Sequence, residues 1–408
     1  MTTVQTLKSR FQQSFPLLLF AVFLGGAMRG YSAPYIKLYL IEQGFSGALM
    51  GTILSVAALV ELLFIPALSR FADHKQRHRL MWRGMMLVYM TACAAIIFFP
   101  HLAILGIGLL ATEVSKRTTL VYSMQLSFTK IQQTGRDLHG RVRSASAGGF
   151  MLANATAGTI FHLGRYFSLF IAAIIAGLLS IWASKSMPAT TFDRNAKPVE
   201  PTTQEAPPKE APAKRNPALY IILFTQFLAA VGLRNGLLFW LIHFQANLGI
   251  DTAQIALLVT ISSLLEIPWM MYMDRLLSRY FAIHLYIIGL LGMAIFWVTV
   301  GIIPSFIWAL AILLLRAPAF SLTNVTTLYL INKISAPKNV ATNMTLSQIT
   351  IPSVAGLVSS APMGYAYDAL PPQVFFGLCA VMLVIGAVTI LTYQLISGNR
   401  QLENGEVS

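Results

Sequence analysis

The chain has 408 residues, 56% of them hydrophobic and 11% charged, with a formal net charge of +14 and a mean hydropathy of +0.66. A soluble globular domain carries roughly 25% charged residues, so this composition excludes one and predicts an all-α polytopic membrane protein. The basic surplus would fit nucleic acid in a soluble protein; here it fits loops that set topology, and no aromatic-and-basic motif supports a nucleic-acid partner.

The polar start MTTVQTLKSR leads into an apolar run with no small-residue cleavage site, which predicts a retained first span. Twelve runs can cross a hydrocarbon core of about 30 Å. In the first half they lie at roughly 15–41, 46–71, 81–100, 103–129, 144–164 and 167–186. In the second half they lie at roughly 218–243, 252–273, 282–303, 305–332, 344–366 and 372–396. Between the halves, residues 192–217 are rich in Pro, Glu, Lys and Thr and cannot bury a core. The expected organisation is a cytoplasmic N-terminus (1–14), a six-helix bundle (15–186), a disordered linker (187–217), a second six-helix bundle (218–396) and a cytoplasmic tail (397–408).

Lys8 and Arg10, then Arg70, Lys75, Arg77 and Arg79, then Lys130, Arg136, Arg141 and Arg143 all fall on one side of that topology. The other side has little beyond Lys37 and Arg165. Both termini are therefore expected in the cytoplasm, in a bacterial-type inner membrane. Cys93 and Cys379 sit inside apolar runs and read as small core residues. The seven histidines read as loop or interfacial residues. No spacing predicts a metal site, no GxxxxGK[ST] loop predicts ATP-driven transport, and no nucleophile–base set predicts an enzyme or a cofactor.

An internal repeat carries the most information. At an offset of 205 positions Arg29 meets Arg234, Gly44 meets Gly249 and Glu61 meets Glu266. At a slightly different offset Lys116-Arg117 can be set beside Leu315-Arg316. Asp73 and Asp274 each begin a basic loop after the repeated span.

With these features the chain resembles a major facilitator superfamily transporter. Residues 69–79, SRFADHKQRHR, are similar to its loop motif G-x-x-x-D-R/K-x-G-R-R, with Asp73 and Arg77 on the Asp and the first closing Arg. Ser69 and Gln76 stand where that motif has glycine. GRVRSASAGGF (140–150) and APMGYAYD (361–368) resemble the fifth-span entry and eleventh-span end of the lactose- and phenylpropionate-permease branch. The resemblance implies two six-helix bundles around a cavity, alternating access, a monomer, and sugar contacts at Arg143 and Phe150. Gln125 and Arg316 fall where lactose permease keeps acids, which argues against a lactose-like sugar symporter.

An ionisable group at mid-membrane costs roughly 2.5–3.5 kcal/mol on insertion scales, so it is expected to face an interior with a partner. Arg29, Lys116, Arg117, Arg234 and Arg316 outnumber Glu61, Glu113 and Glu266 there. That surplus suits a small anionic substrate gripped by arginine forks: a carboxylate, an organophosphate or a carboxylate siderophore. The expected ligands are Arg29, Arg117, Arg143, Phe150, Arg234 and Arg316. Glu61, Glu113 and Glu266 are expected to carry protons, and Asp73, Arg77 and Asp274 to serve gating loops. Purely structural alternatives pair Arg29 with Glu61, Arg234 with Glu266, and Glu113 with Arg117 at i, i+4. Sugar or drug efflux on the same scaffold, and a non-transporting receptor, are the competing functions.

Overall fold

A computed structural model describes residues 2–75, 77–134, 139–184, 217–335 and 340–397, without the side chains of residues 2–15, 69–70, 73–75, 121, 124–134, 139–143, 274, 340–341 and 397. Apart from Pro217 and Ser397, the predicted linker and tail lie outside the described residues. Among the described residues the chain is helical from end to end. The helices are α1 (Thr2–Glu42), α2 (Gly47–Lys75), α3 (His78–Phe98), α4 (Leu102–Thr134), α5 (His139–Ala183), α6 (Pro217–Leu248), α7 (Thr252–Arg279), α8 (Ala282–Ile302), α9 (Phe306–Ile334), α10 (Val340–Thr345), α11 (Ile351–Ala369) and α12 (Pro372–Ser397).

Among the described residues, nine helices are long and apolar enough to cross a membrane. The chain is thus a multi-pass membrane protein. Two long helices outside that set, α4 and α11, have a reason to fail a lipid test. The first carries Glu113, Lys116 and Arg117, and the second carries Ser353, Ser359, Ser360 and Asp368. Their polar side chains serve an interior, not lipid.

Local chemistry sets the breaks. Gly44 and Gly249, the pair related by the repeat, both have positive φ (+88° and +64°) where α1 and α6 end. A residue without Cβ is the low-cost choice there. The next helices begin symmetrically too: Ser46 accepts from the Leu49 amide and Asp251 from the Gln254 amide. Helix α5 is broken at Gly164 and Arg165, where Arg165 takes φ +53°. That break falls at the predicted boundary between the fifth and sixth spans. Between α10 and α11 the turn widens to a π-helix, Leu346–Thr350. Pro352 lacks the amide hydrogen that an α-turn would send back to this segment, which explains the widening. Gln226 of α6 takes up the slack: its Nε2 donates to the Ser347 carbonyl at 2.9 Å, and Ser347 Oγ donates back to its Oε1 at 2.7 Å.

In the first part α1 packs on α5 and α3 on α4; in the second, α6 packs on α12 and α8 on α9 and α12. The two parts meet mainly through α2 against α11 and α5 against α7. Gly47 and Gly51 of α2 face Gly364 of α11 so closely that a Cβ on any of them would strike the other backbone. Asp368, at the end of α11, accepts from the Gly47 and Ala48 amides at 2.8 Å each and so caps α2 from across the junction. Close by, Glu42 accepts from Tyr166 (2.7 Å) and Gln245 (2.8 Å) and pairs with Arg165 (3.4 Å). These contacts gather at the end of the bundle where α1 ends and α2 begins.

Candidate functional site

Below that closed end, charged side chains converge from four helices. Lys37 comes from α1, Glu61 from α2, Glu113, Lys116 and Arg117 from α4, and Arg234 from α6. Spacing along α4 places Glu113, Lys116 and Arg117 within about one turn, so they present a common face. Glu113 pairs with Lys116 at i, i+3, and its other oxygen stands 3.9 Å from Lys37 Nζ.

Glu61 is fully buried, and its Oε2 faces Arg117 Nε at 3.7 Å. The same oxygen accepts from Ser353 Oγ of α11 at 3.1 Å, while Oε1 has no hydrogen-bond partner. Glu61 therefore links the first part of the chain to the second. Arg234 lies within electrostatic reach of Glu61, Arg117 and Glu113, yet no described carboxylate comes within ion-pair distance of it. Its guanidinium carbon lies where a Cβ on Gly356 would stand 2.6 Å away, so that glycine makes room for it. The side chains of Lys37, Lys116 and Arg117 are 21%, 26% and 32% exposed. Each therefore keeps part of its surface open to the space beside it.

A second cluster is tighter. Arg316 of α9 is buried, pairs with Glu266 of α7 and donates to Ser262. Its guanidinium also stands 5.4 Å from the Trp240 ring and 5.0 Å from the Phe320 ring. Acid, hydroxyl and two rings thus enclose this arginine.

The remaining expected residues fall elsewhere. Arg29 donates to Ser146 Oγ of α5 at 2.6 Å and has no described carboxylate at ion-pair distance. Phe150, one turn past Ser146, packs on the apolar core and lends its backbone to the close approach of Gly26 and Gly30. Arg77 is exposed between α2 and α3. The side chains of Asp73, Arg143 and Asp274 lie outside the described residues.

All three structural pairings drawn from the sequence are corrected. Glu61 meets Arg117 instead of Arg29, Glu266 meets Arg316 instead of Arg234, and Glu113 meets Lys116 and Lys37 instead of Arg117. Two histidines are also corrected from loop or interfacial to buried: His78 packs by Tyr122, and His243 lies 5.3 Å from the Phe376 ring.

Sequence reading missed Lys37, Ser353 and Asp368. Lys37 lies near a span end and read as a topology charge, although the first predicted span, 15–41, already contains it. Ser353 and Asp368 needed the α2–α11 junction to acquire meaning.

An all-helical, multi-pass bundle with paired charges between its helices fits a membrane transporter, and comparison with known proteins gives the family. The chain belongs to the MFS_1-like family, whose model matches residues 16–378. It is therefore a membrane transporter of the major facilitator type and not an enzyme. Among solved structures, it is similar to a nucleoside transporter, NupG, with a TM-score of 0.74, 13% identity and coverage of 92% of this chain and 98% of that one. A point mutant of the same transporter gives a TM-score of 0.74 at 15% identity, with the same coverage. An auto-inhibited POT family peptide transporter gives 0.69 at 12% identity, covering 97% and 99%. No curated protein matches by sequence.

Proposed function

We propose that this protein is a proton-coupled symporter of a small organic anion, working by alternating access in a bacterial inner membrane with both termini in the cytoplasm. Arg234 carries the reading. It is a guanidinium at the junction of the two parts, without a described carboxylate at ion-pair distance, and its fork suits a carboxylate or phosphate. Arg117 flanks the same space, and Lys37 lies at its closed end. Arg29 and Arg143 are proposed as ligands along the anion's entry path. Phe150 packs the α1–α5 seam behind them. Arg316 is proposed to act from the second wall, held in place by Glu266.

The twelve-span, two-bundle reading is part of this proposal. Counting α5 as two spans at its break, and α10 with α11 as one, gives six on each side of the linker. The packing partners fall mainly within each six, apart from the α2–α11 and α5–α7 junctions and a smaller α1–α6 contact. The contacts of Asp368 and Glu42 support a conformer shut on the outer side and open toward the cytoplasm. Asp73, Arg77 and Asp274 would govern the inner closure. The permease branch within the superfamily rests on the 140–150, 316–320 and 361–368 segments.

Proton coupling is assigned to Glu61 first. It is buried, has a bare oxygen, and touches both parts of the chain. Glu113 and Glu266 are each held by a cation at ion-pair distance, Lys116 and Arg316, and take second place in this assignment. An anion reaching Arg234 and Arg117 would compete with Glu61 for their positive charge.

The test is a thermal-shift screen of the purified protein with organic acids, phosphates, nucleosides, peptides and sugars, repeated on Arg234→Ala. A ligand stabilises by RT ln(1 + [L]/Kd), so modest binders register. An anion that stabilises the wild type but not Arg234→Ala supports the proposal. A neutral solute that stabilises both equally overturns it.

A further inference from the structure

The six charges at the junction do not balance. Lys37, Lys116, Arg117 and Arg234 face two carboxylates, Glu61 and Glu113, which leaves a surplus of two positive charges. The surplus is also located. Lys116 spends its charge on Glu113, and Arg117 faces Glu61. Among the described residues Lys37 has only the far oxygen of Glu113, a carboxylate already paired with Lys116, at 3.9 Å, and its side chain is 21% exposed. Arg234 has no described carboxylate at ion-pair distance, and Lys37 lies near enough to feel its charge.

We infer that the transported anion is a dianion, one end held by Arg234 and the other by Lys37. Lys37 is thereby a substrate ligand that sets the charge of the accepted solute. This rests on the anion reading given above and narrows it.

Electroneutrality is the reason. Unbalanced charge in a low-dielectric interior is costly, and a ligand that cancels it gains both Coulomb attraction and hydrogen bonds to free donors. A monoanion would leave one of the two cations unmatched. A dicarboxylate with a short spacer, or a phosphate monoester in its doubly charged form, cancels both. The location of Lys37 adds to this. It stands five residues before the end of α1, about 7.5 Å along the axis from Glu42, so it forms the roof of the space beneath the closed end. A solute engaging Arg234 below and Lys37 above would span α6 to α1 and be sensed by both parts of the transporter.

The experiment uses matched pairs on the full-length purified protein: succinate against monomethyl succinate, and a phosphate monoester against its methyl diester. Apparent Kd is read from ligand-dependent melting. The dianion of at least one pair should bind about tenfold or more tightly than its monoanionic partner. In Lys37→Gln that gap should close, and in Lys37→Arg, which keeps the charge, it should persist. Equal affinity within both pairs in the wild type overturns the dianion inference and leaves the anion reading standing. A gap that survives in Lys37→Gln overturns the assignment of Lys37. Binding of neutral solutes with none of the four anions overturns both.

Discussion

Glu61 and Arg117 face each other at 3.7 Å between α2 and α4, and Glu266 and Arg316 repeat that meeting between α7 and α9. The two acids are related by the internal repeat, and so, at a slightly different offset, are the two arginines. The copies have diverged in their surroundings. Arg316 is buried against Trp240 and Phe320, while Arg117 is a third exposed and Glu61 reaches across to Ser353. One copy has the environment of a clamp and the other that of a switch.

Removing Arg117 leaves a buried carboxylate without its cation. Arg117→Gln should therefore lower stability by about 1–3 kcal/mol, less than for a fully buried pair because Arg117 is partly solvated. In a Glu61→Gln background the same change should cost much less. Melting of the four proteins of that cycle in detergent checks the coupling. Additive losses would show that the pair contributes nothing.

Glu61→Gln should abolish pH-gradient-driven accumulation in proteoliposomes while leaving anion exchange. Glutamine keeps the acceptor for Ser353 but cannot gain or lose a proton. Glu266→Gln should instead lower the melting temperature, because it removes the anion from a buried arginine. Full accumulation by Glu61→Gln would end the coupling role proposed for it.

Arg316→Lys keeps the charge and loses the planar fork. It cannot reach Glu266 and Ser262 together while lying against both rings. Two ring contacts at about 0.5–2 kcal/mol each, with one lost hydrogen bond, predict a loss of about 2–4 kcal/mol. Thermal melting of the variant against wild type measures it. An unchanged melting curve would mean that charge alone suffices there.

Gly51 and Gly364 permit the α2–α11 approach, and Asp368 ties it. Gly51→Leu should prop that end open. A cysteine placed near Ser46 should then react faster with a membrane-impermeant maleimide added from outside. Asp368→Ala should act in the same direction but more weakly, since a lost cap costs about 0.5–2 kcal/mol. Unaltered labelling in both would exclude this junction as the outer closure.

Hydropathy and repeats are properties of residue order, so the membrane-spanning helical character, the span boundary near Gly164 and the repeat that relates Gly44 to Gly249 could be read directly from the chain. The short list of mid-membrane charges followed from their scarcity. Their partners could not be read. Which cation meets which acid depends on the rotation and depth of helices far apart in sequence, and Arg29 and Arg117 look alike until α1 and α4 are set against α2. Lys37 illustrates the same limit: its position near a span end resembles a loop charge, and only packing turns it inward. Composition and residue order alone dictate a membrane-spanning helical chain with a duplicated, basic interior. Packing in three dimensions assigns Glu61 to Arg117 and Ser353, turns Arg29 to Ser146, and leaves Arg234 with charge to spare.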